Sequence, residues 1–437
     1  MGGQEEIHDV VGIGFGPANI ALAAAAAEEA PELRMRFLEA RPQVSWQPGM
    51  LLRGSDIQNN PIRDLATLRN PRSRFTFVNF LHEQGRLLAF LNVPAHFPLR
   101  RDYAQYVRWA GEQLGDVVEY EREVVRVTRA PGPDRHYVVE TRSGQSYRGH
   151  SLVVGTGRTP YIPELFTPLL GTNIFHSNEY RWRVAELRER EEAPRVAVIG
   201  ASQSAVEITL DLHSGFPRGA ILSIMRGFGP RLKDTSPFSE EAFLPEFTDY
   251  YFDASAESKR DLDSQLRGTN YSAVDGDVID ALYLRRYEDQ IDGTRRLFTY
   301  RNREVTAARM VGSQVELSLR ERHRGDQEVV VVDAVVLATG FRDLGPAVDQ
   351  EPHPPVLDGL AGDFATDARG TLQVDRDYFV QPADEASGVG PLFLNGLCES
   401  SHGLGDAGSF SLLSLRAETL LTGIKKRLSA VGSPRGR

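Results

Sequence analysis

The chain is poor in cysteine, in long apolar runs and in basic blocks. Cys398 is the single cysteine among 437 residues. That excludes a disulfide framework and a redox-active C-x-x-C pair. No stretch approaches 18 uninterrupted apolar residues, so no membrane-spanning helix is expected. Lysine and arginine number 50 against 60 acidic residues, for a net charge of −10. With that balance and no basic cluster, nucleic acid is not an expected partner. The opening Met1-Gly2-Gly3-Gln4-Glu5-Glu6 is short and acidic, unlike a signal peptide. The expected location is the cytoplasm, and the length suits two or three domains.

What is present is organised around Asp9-Val10-Val11-Gly12-Ile13-Gly14-Phe15-Gly16-Pro17-Ala18-Asn19-Ile20. An apolar run turns through glycines into an alanine-rich helix, as a parallel strand does when it enters a phosphate-binding turn. Gly12 is read as permitting the tight turn, and Gly14 as letting the backbone approach a pyrophosphate. The following helix then offers free N–H groups and a positive dipole end to the anion. Gly16 and Pro17 open that helix, where a missing proline N–H is harmless. Arg34 to Leu38 reads as the next strand. Glu39 follows it, near the ~20-residue spacing at which an acid meets a ribose hydroxyl.

The theme repeats at Val196-Ala197-Val198-Ile199-Gly200-Ala201-Ser202-Gln203-Ser204-Ala205. Here Ser202 replaces a glycine, so a side chain must fit where backbone should come close. Arg226 follows the next strand, Ala220 to Met225. An arginine there suits the 2′-phosphate of NADP. Two more apolar strands end in small residues, at Gly155-Thr156-Gly157 and at Ala338-Thr339-Gly340-Phe341. Such strands return to a sheet beside a bound cofactor, which makes Thr339 and Gly340 cofactor-side candidates.

Between the turns, Phe75 to Leu91 is expected to be helical, and Tyr103 to Leu114 an amphipathic helix. Val117 to Val127, Tyr137 to Thr141 and Tyr147 to His150 read as short antiparallel strands. Val305 to Leu319 and Glu328 to Val332 are strand-like. Gly403 to Gly408 reads as a turn and Ser411 to Leu428 as a terminal helix returning to the first domain. The expected fold is α/β, with two Rossmann-like dinucleotide-binding domains and a small helical substrate-binding insertion. A first FAD-binding part would span 1–190, an NADPH-binding domain 191–335 with an insertion at about 231–300, and a second FAD-binding part 336–437. Two such turns in one chain need two dinucleotides, usually a flavin in the first and a nicotinamide in the second, passing hydride between them and carrying the redox chemistry. Without a dithiol, the next acceptor is expected to be oxygen, a quinone or a partner protein.

Taken together, Gly12 to Asn19, Trp46-Gln47-Pro48-Gly49-Met50, Gln58, Asp64-Leu65-Ala66-Thr67-Leu68-Arg69-Asn70-Pro71, Gln203-Ser204-Ala205, Thr269-Asn270-Tyr271-Ser272, Ala338 to Phe341 and His402-Gly403-Leu404 resemble the flavin-dependent N-hydroxylating monooxygenases. These are the ornithine and lysine N-hydroxylases of hydroxamate siderophore pathways. The resemblance runs in order along nearly the whole chain. It implies that NADPH reduces FAD, that oxygen forms a C4a-hydroperoxyflavin protected by NADP⁺, and that a neutral primary amine attacks its distal oxygen. It places Trp46 and Gln58 beside the flavin, Arg100 near the cofactors, Arg226 on the NADPH 2′-phosphate and Asn270 on the amino acid. Gln58, Arg63 and Asn270 are then the expected catalytic residues. The family often forms tetramers, so a homo-oligomer is expected.

The chain departs from the family pattern on the substrate side. Arg63 stands where ornithine hydroxylases carry a lysine that grips the substrate carboxylate, and Glu240 where they carry an asparagine. Gln47 replaces a histidine. One residue is inserted around Ala407, which puts Ser411 at the substrate-side serine, between cofactor and substrate. Arg285 and Arg286 stand where the family is apolar or mixed. An arginine fork binds a carboxylate bidentately, so Arg63 with Arg285 or Arg286 could hold two carboxylates. The expected substrate is therefore L-aspartate, oxidised to N-hydroxyaspartate and onward to nitrosuccinate. The alternatives are ornithine or lysine, a diamine, or an NADPH oxidase that oxidises no amine.

Overall fold

The computed structural model describes residues 6–130, 136–345, 347, 349–384, 390–406 and 408–431. Residues 1–5, on which most of the leader reading rests, and Ala407 lie outside them. The chain opens with β1 (Ile7–Ile13), α1 (Pro17–Glu29) and β2 (Met35–Leu38). β1 lies parallel to β2, and Val10 and Val11 have no exposed surface. The alanines of α1 are what its position needs, because Ala21 to Ala26 are buried against the sheet and neighbouring helices.

The aromatic stretch expected as one helix is two, α2 (Phe77–Glu83) and α3 (Leu87–Leu91). Gly85 breaks it with φ +65°. α4 (Arg100–Glu112) begins three residues earlier than expected, which brings Arg100 into its first turn.

The region expected as three antiparallel strands is also corrected. β3 (Val118–Glu119) is parallel to β2, while β4 (Val124–Arg129) and β5 (Tyr137–Thr141) form the antiparallel pair. β6 (Ser146–Val154) is one strand with two characters. Its first half pairs antiparallel with β5 and is mostly half-exposed. Its apolar second half is fully buried. A strand covered on both faces reads as a continuous apolar run, and a half-covered one does not.

After β7 (Thr159–Pro160) the chain enters a second sheet at β8 (Ile174–His176), then α5 (Tyr180–Arg190), β9 (Arg195–Ile199), α6 (Gln203–Gly215) and β10 (Ala220–Ile224). Four helices follow: α7 (Pro237–Glu240), α8 (Pro245–Asp253), α9 (Ala256–Asn270) and α10 (Gly276–Ile291). β11 (Leu297–Tyr300) falls inside the expected insertion but is a sheet strand, parallel to β10. β12 (Arg303–Val311), β13 (Gln314–Glu321) and β14 (Gln327–Val332) form an antiparallel meander, so the stretch from Val305 to Leu319 is a hairpin turning at Gly312. β15 (Ala334–Leu337) completes a five-stranded parallel sheet of order β11-β10-β9-β15-β8. That sheet takes β8 from ahead of residue 190, where a boundary was expected.

β16 (Phe341–Arg342) pairs antiparallel with β7, so the strands leading into and out of the second sheet run side by side. β17 (Leu392–Leu394) then joins β6 in the first sheet, giving seven strands. After α11 (Glu399–His402), α12 (Leu413–Val431) packs on α1, as expected for a C-terminus returning to the first domain. Among the described residues, no helix is long and apolar enough to cross a membrane.

Candidate active site

The first turn lies one step later than expected. Gly12 is inside β1, and a Cβ there would sit 2.1 Å from the Phe37 ring, so its role is packing. The turn proper is Gly14-Phe15-Gly16-Pro17. Gly14 has φ +83°, and a Cβ on it would lie 2.7 Å from the Gly155 carbonyl oxygen. Glycines alternating with other residues allow two readings of G-x-G, and only the backbone chooses between them. Gly16 caps α1 with Pro17 at its first position. A Cβ on Gly16 would meet nothing within 4 Å, so that face is open to a pyrophosphate. Glu39, just past β2, accepts the Phe15 N–H at 2.8 Å and the Arg41 N–H at 2.9 Å. The site therefore fits a dinucleotide, with Glu39 beside the turn.

The second turn repeats this backbone. Gly200 has φ +145°, and its Cβ would lie 2.4 Å from the Ala338 carbonyl oxygen. Ser202 caps α6 at φ −93°, ψ −178°, against −81°, −176° at Gly16. Ser202 is thus the counterpart of Gly16, where a Cβ would meet nothing within 4 Å, and not of Gly14, where a Cβ would press on backbone. The start of α6 is engaged by the helical insertion. Gln203 N–H donates to Ala273 O at 3.0 Å, and Gln203 Oε1 accepts Asp275 N–H at 2.9 Å. Ser204 is half-buried on α6. Arg226 is exposed just beyond β10. Thr339 Oγ donates to Tyr161 O, and Gly340 O receives the Tyr161 N–H at 2.9 Å, so both residues hold the paired connecting strands.

Between the turns, Gln58 takes a left-handed backbone at φ +52° and donates through Nε2 to Asp275. Its N–H donates to Asp56 at 2.9 Å. Burial, together with repulsion from Asp275, Glu207 and Asp277, pushes the Asp56 carboxyl up to about 6. Arg100 forms a bidentate pair with Glu207 of α6, at 2.8 and 3.0 Å, and donates to Met50 O at 3.1 Å. It couples the two sheets' helices and is not a free cofactor ligand.

On the substrate side, three distant segments meet. Arg63 Nη1 donates to Ser411 Oγ at 3.3 Å and stands 4.0 Å from Glu240 Oε2. Asp64 explains the motif that follows: buried, it accepts N–H groups of Ala66, Thr67 and Phe77 and the Thr67 hydroxyl, at 2.6–2.9 Å. This knot fixes the loop carrying Arg63. Tyr103 OH donates to Arg63 O at 3.1 Å, and the Tyr103, Trp46 and Phe410 rings pack edge to face behind it. Asn270 ends α9, half-buried. The two arginines expected to complete a two-carboxylate pocket make contacts on their own helix. Arg285 pairs with Glu288 one turn along α10, and Arg286 lies over Tyr283, 5.8 Å from its ring centre. A sequence cannot say which face of a helical insertion looks inward, and on α10 both arginines meet neighbours of their own helix.

Against known proteins, residues 6–343 match the family model described as L-lysine 6-monooxygenase/L-ornithine 5-monooxygenase. The chain belongs to this family. An L-ornithine N(5)-monooxygenase of Burkholderia cepacia is 36% identical over 412 residues, covering 92% of this chain and 90% of that protein. The ornithine N-hydroxylase of Kutzneria sp. 744, in a structure with reduced FAD, NADP⁺ and L-ornithine, superposes with TM-score 0.88 at 35% identity, covering 97% of this chain and all of that one. The L-lysine 6-monooxygenase of Pseudomonas syringae superposes with TM-score 0.83 at 34% identity, over 96% of this chain and 99% of that one. The chain is thus an N-hydroxylating flavin monooxygenase by family, and the two-Rossmann α/β fold is that of its relatives.

Sequence reasoning about this monooxygenase missed two networks. Asn19 donates to Gly14 O at 2.7 Å and accepts from Asn395, which in turn accepts from Arg416; Arg416 is paired with buried Asp406. Asn19 lay within a quoted motif, but its partners lie nearly the whole chain away. Arg158 donates to Tyr271 OH at 2.9 Å and Asp343 at 3.0 Å, and Tyr271 OH donates to Glu399. Burial, with Asp343 nearby, pushes the Glu399 carboxyl well above the usual range. This joint ties the residue after Asn270 to the first domain.

Proposed function

We propose that the protein binds FAD and NADPH and N-hydroxylates the side-chain amine of L-ornithine or L-lysine, using molecular oxygen. FAD would lie on Gly14, Gly16 and Pro17, with Glu39 toward its ribose. NADPH would lie on Gly200, Ser202 and Ser204, with Arg226 on its 2′-phosphate. When bound, these cofactors supply the electrons and activate oxygen. The chain's own residues bind and orient the amine. The observation that carries the substrate reading is the meeting of Arg63, Ser411 and Glu240. One guanidinium can take one carboxylate bidentately, while Arg285 and Arg286 are engaged with Glu288 and Tyr283, which favours a substrate with one carboxylate over aspartate. Asn270 and Gln58 are the remaining polar groups assigned to substrate and flavin.

The test is NADPH consumption with product mass across ornithine, lysine, aspartate, glutamate, putrescine and cadaverine. One oxygen gained by ornithine or lysine, in step with NADPH, is the expected result. Oxygen gained by aspartate alone, or hydrogen peroxide as the sole product with every amine, would overturn it.

A further inference from the structure

Asp275 opens α10 but does not serve it. It stands at the N-cap with extended backbone, φ −63°, ψ 147°, and its side chain accepts no N–H of the helix that follows. An aspartate at an N-cap ordinarily takes such an N–H. The carboxylate turns instead to Gln58, 217 residues earlier in the chain, and accepts from Nε2. Asp275 is itself held, because Gln203 Oε1 accepts its N–H at 2.9 Å. Gln203 Nε2 donates to Glu207 at 3.0 Å, and Glu207 pairs with Arg100. Gln58 is fixed from its own side too, with a left-handed backbone at φ +52° and its N–H on Asp56. Asp275 thus stands between Gln58 and the first residue of α6, at the edge of the second turn. A glutamine amide has a donor end and an acceptor end, whereas a carboxylate offers acceptors. Asp275 therefore selects the NH2 end of Gln58. Oε1 is left over, and among the described residues none donates to it.

We propose that Asp275 is a positioning residue that keeps Gln58 Oε1, and not its NH2, toward the flavin ring. This rests on the reading above that sets Gln58 beside FAD. Hydride from NADPH brings two electrons and a hydrogen to a ring nitrogen of the flavin, which turns from an acceptor into a donor. An acceptor at that edge favours the reduced ring, and a donor favours the oxidised one. Asp275 acts on this balance through the amide it orients, without touching the ring. Its own charge works the other way. A flavin gains negative charge when a hydride arrives, so a carboxylate nearby disfavours the reduced form. The two roles therefore predict opposite signs when the carboxylate is removed.

The test is the midpoint potential of bound FAD, read by dye equilibration without any amine. It is measured for wild type, Asp275→Leu and Asp275→Asn, each also in a Gln58→Leu background. With Gln58→Leu, removing the Asp275 charge should raise the potential. With Gln58 present, Asp275→Leu should fall below that shift by ~30 mV or more, a ~10-fold change in the ratio of oxidised to reduced flavin. Asp275→Asn keeps an acceptor oxygen and should recover at least half of the difference. Asp275→Ala in both backgrounds carries the same comparison should Asp275→Leu lose its fold. Equal shifts in both backgrounds, or no recovery by Asp275→Asn, overturn the proposal. If the potentials follow the expected pattern but no amine gains oxygen, the N-hydroxylase reading fails while the positioning role stands. Equal shifts in an enzyme that does oxygenate an amine sink the positioning role alone.

Discussion

Gly14 and Gly200 end parallel strands in the same way. One presses its missing Cβ to 2.7 Å from Gly155 O and the other to 2.4 Å from Ala338 O. Gly16 and Ser202 then cap their helices with nearly the same dihedrals. The surroundings differ. The first turn is braced from behind by Asn19, Asn395, Arg416 and Asp406, buried groups that have no view of solvent. The second is touched from in front by Ala273 and Asp275 of the helical insertion. One backbone device thus serves a built-in site and a site that shares its edge with the substrate region. A resident cofactor suits the former, and a cofactor that exchanges each turnover suits the latter.

The largest expected effects come from breaking each turn separately. Gly14→Ala forces a side chain onto a positive φ and against backbone that cannot yield. A cost of about 2–4 kcal/mol is expected, with FAD lost on purification, read from flavin absorbance. Gly200→Ala should keep the flavin yellow but raise the KM for NADPH by ~10-fold or more. Flavin loss in both variants would show that the turns are not independent. Next, Arg226→Ala should cut the preference for NADPH over NADH by about 10–100-fold, the worth of charge-assisted bonds to one phosphate. An unchanged preference would remove Arg226 from the second site.

Asp56 gives a smaller effect with a definite sign. Its folded value, about 6, lies above the ordinary 3.8, so its contribution to stability is full at low pH and is lost as pH rises through about 6. Asp56→Asn should therefore raise the Tm at pH 8 more than at pH 4. The gain should be about 1–2 kcal/mol, because the side chain keeps some solvent contact. Equal gains at both values would mean that its proton is not the cause. The smallest change expected is Ser202→Gly, which should alter the KM for NADPH by less than about 3-fold, since Gly16 shows that this position needs no side chain.

Much of the fold was legible because it is written locally. Strand, small-residue turn and helix follow one another within about fifteen residues at Gly14 and again at Gly200, and the apolar runs at Ser151 and Asp333 announce strands buried on both faces. The motif residues Arg63, Glu240 and Ser411 could be named from their neighbours along the chain. Their meeting could not, because it depends on where α7 and the segment before α12 come to rest. Arg285 and Arg286 show the same limit from the other side. They are the right residue type for a carboxylate, yet their contacts are one turn away on their own helix, with Glu288 and Tyr283.

By itself, the sequence determined the two nucleotide turns, the absence of dithiol chemistry and the family. These follow from backbone sterics and residue inventory within short windows. Only the tertiary structure decided that Gly14 and not Gly12 makes the turn, and that Arg100 is held by Glu207. It also decided that Arg63 stands 4.0 Å from Glu240. Each of these is a contact between groups far apart in the chain, and packing alone sets such distances.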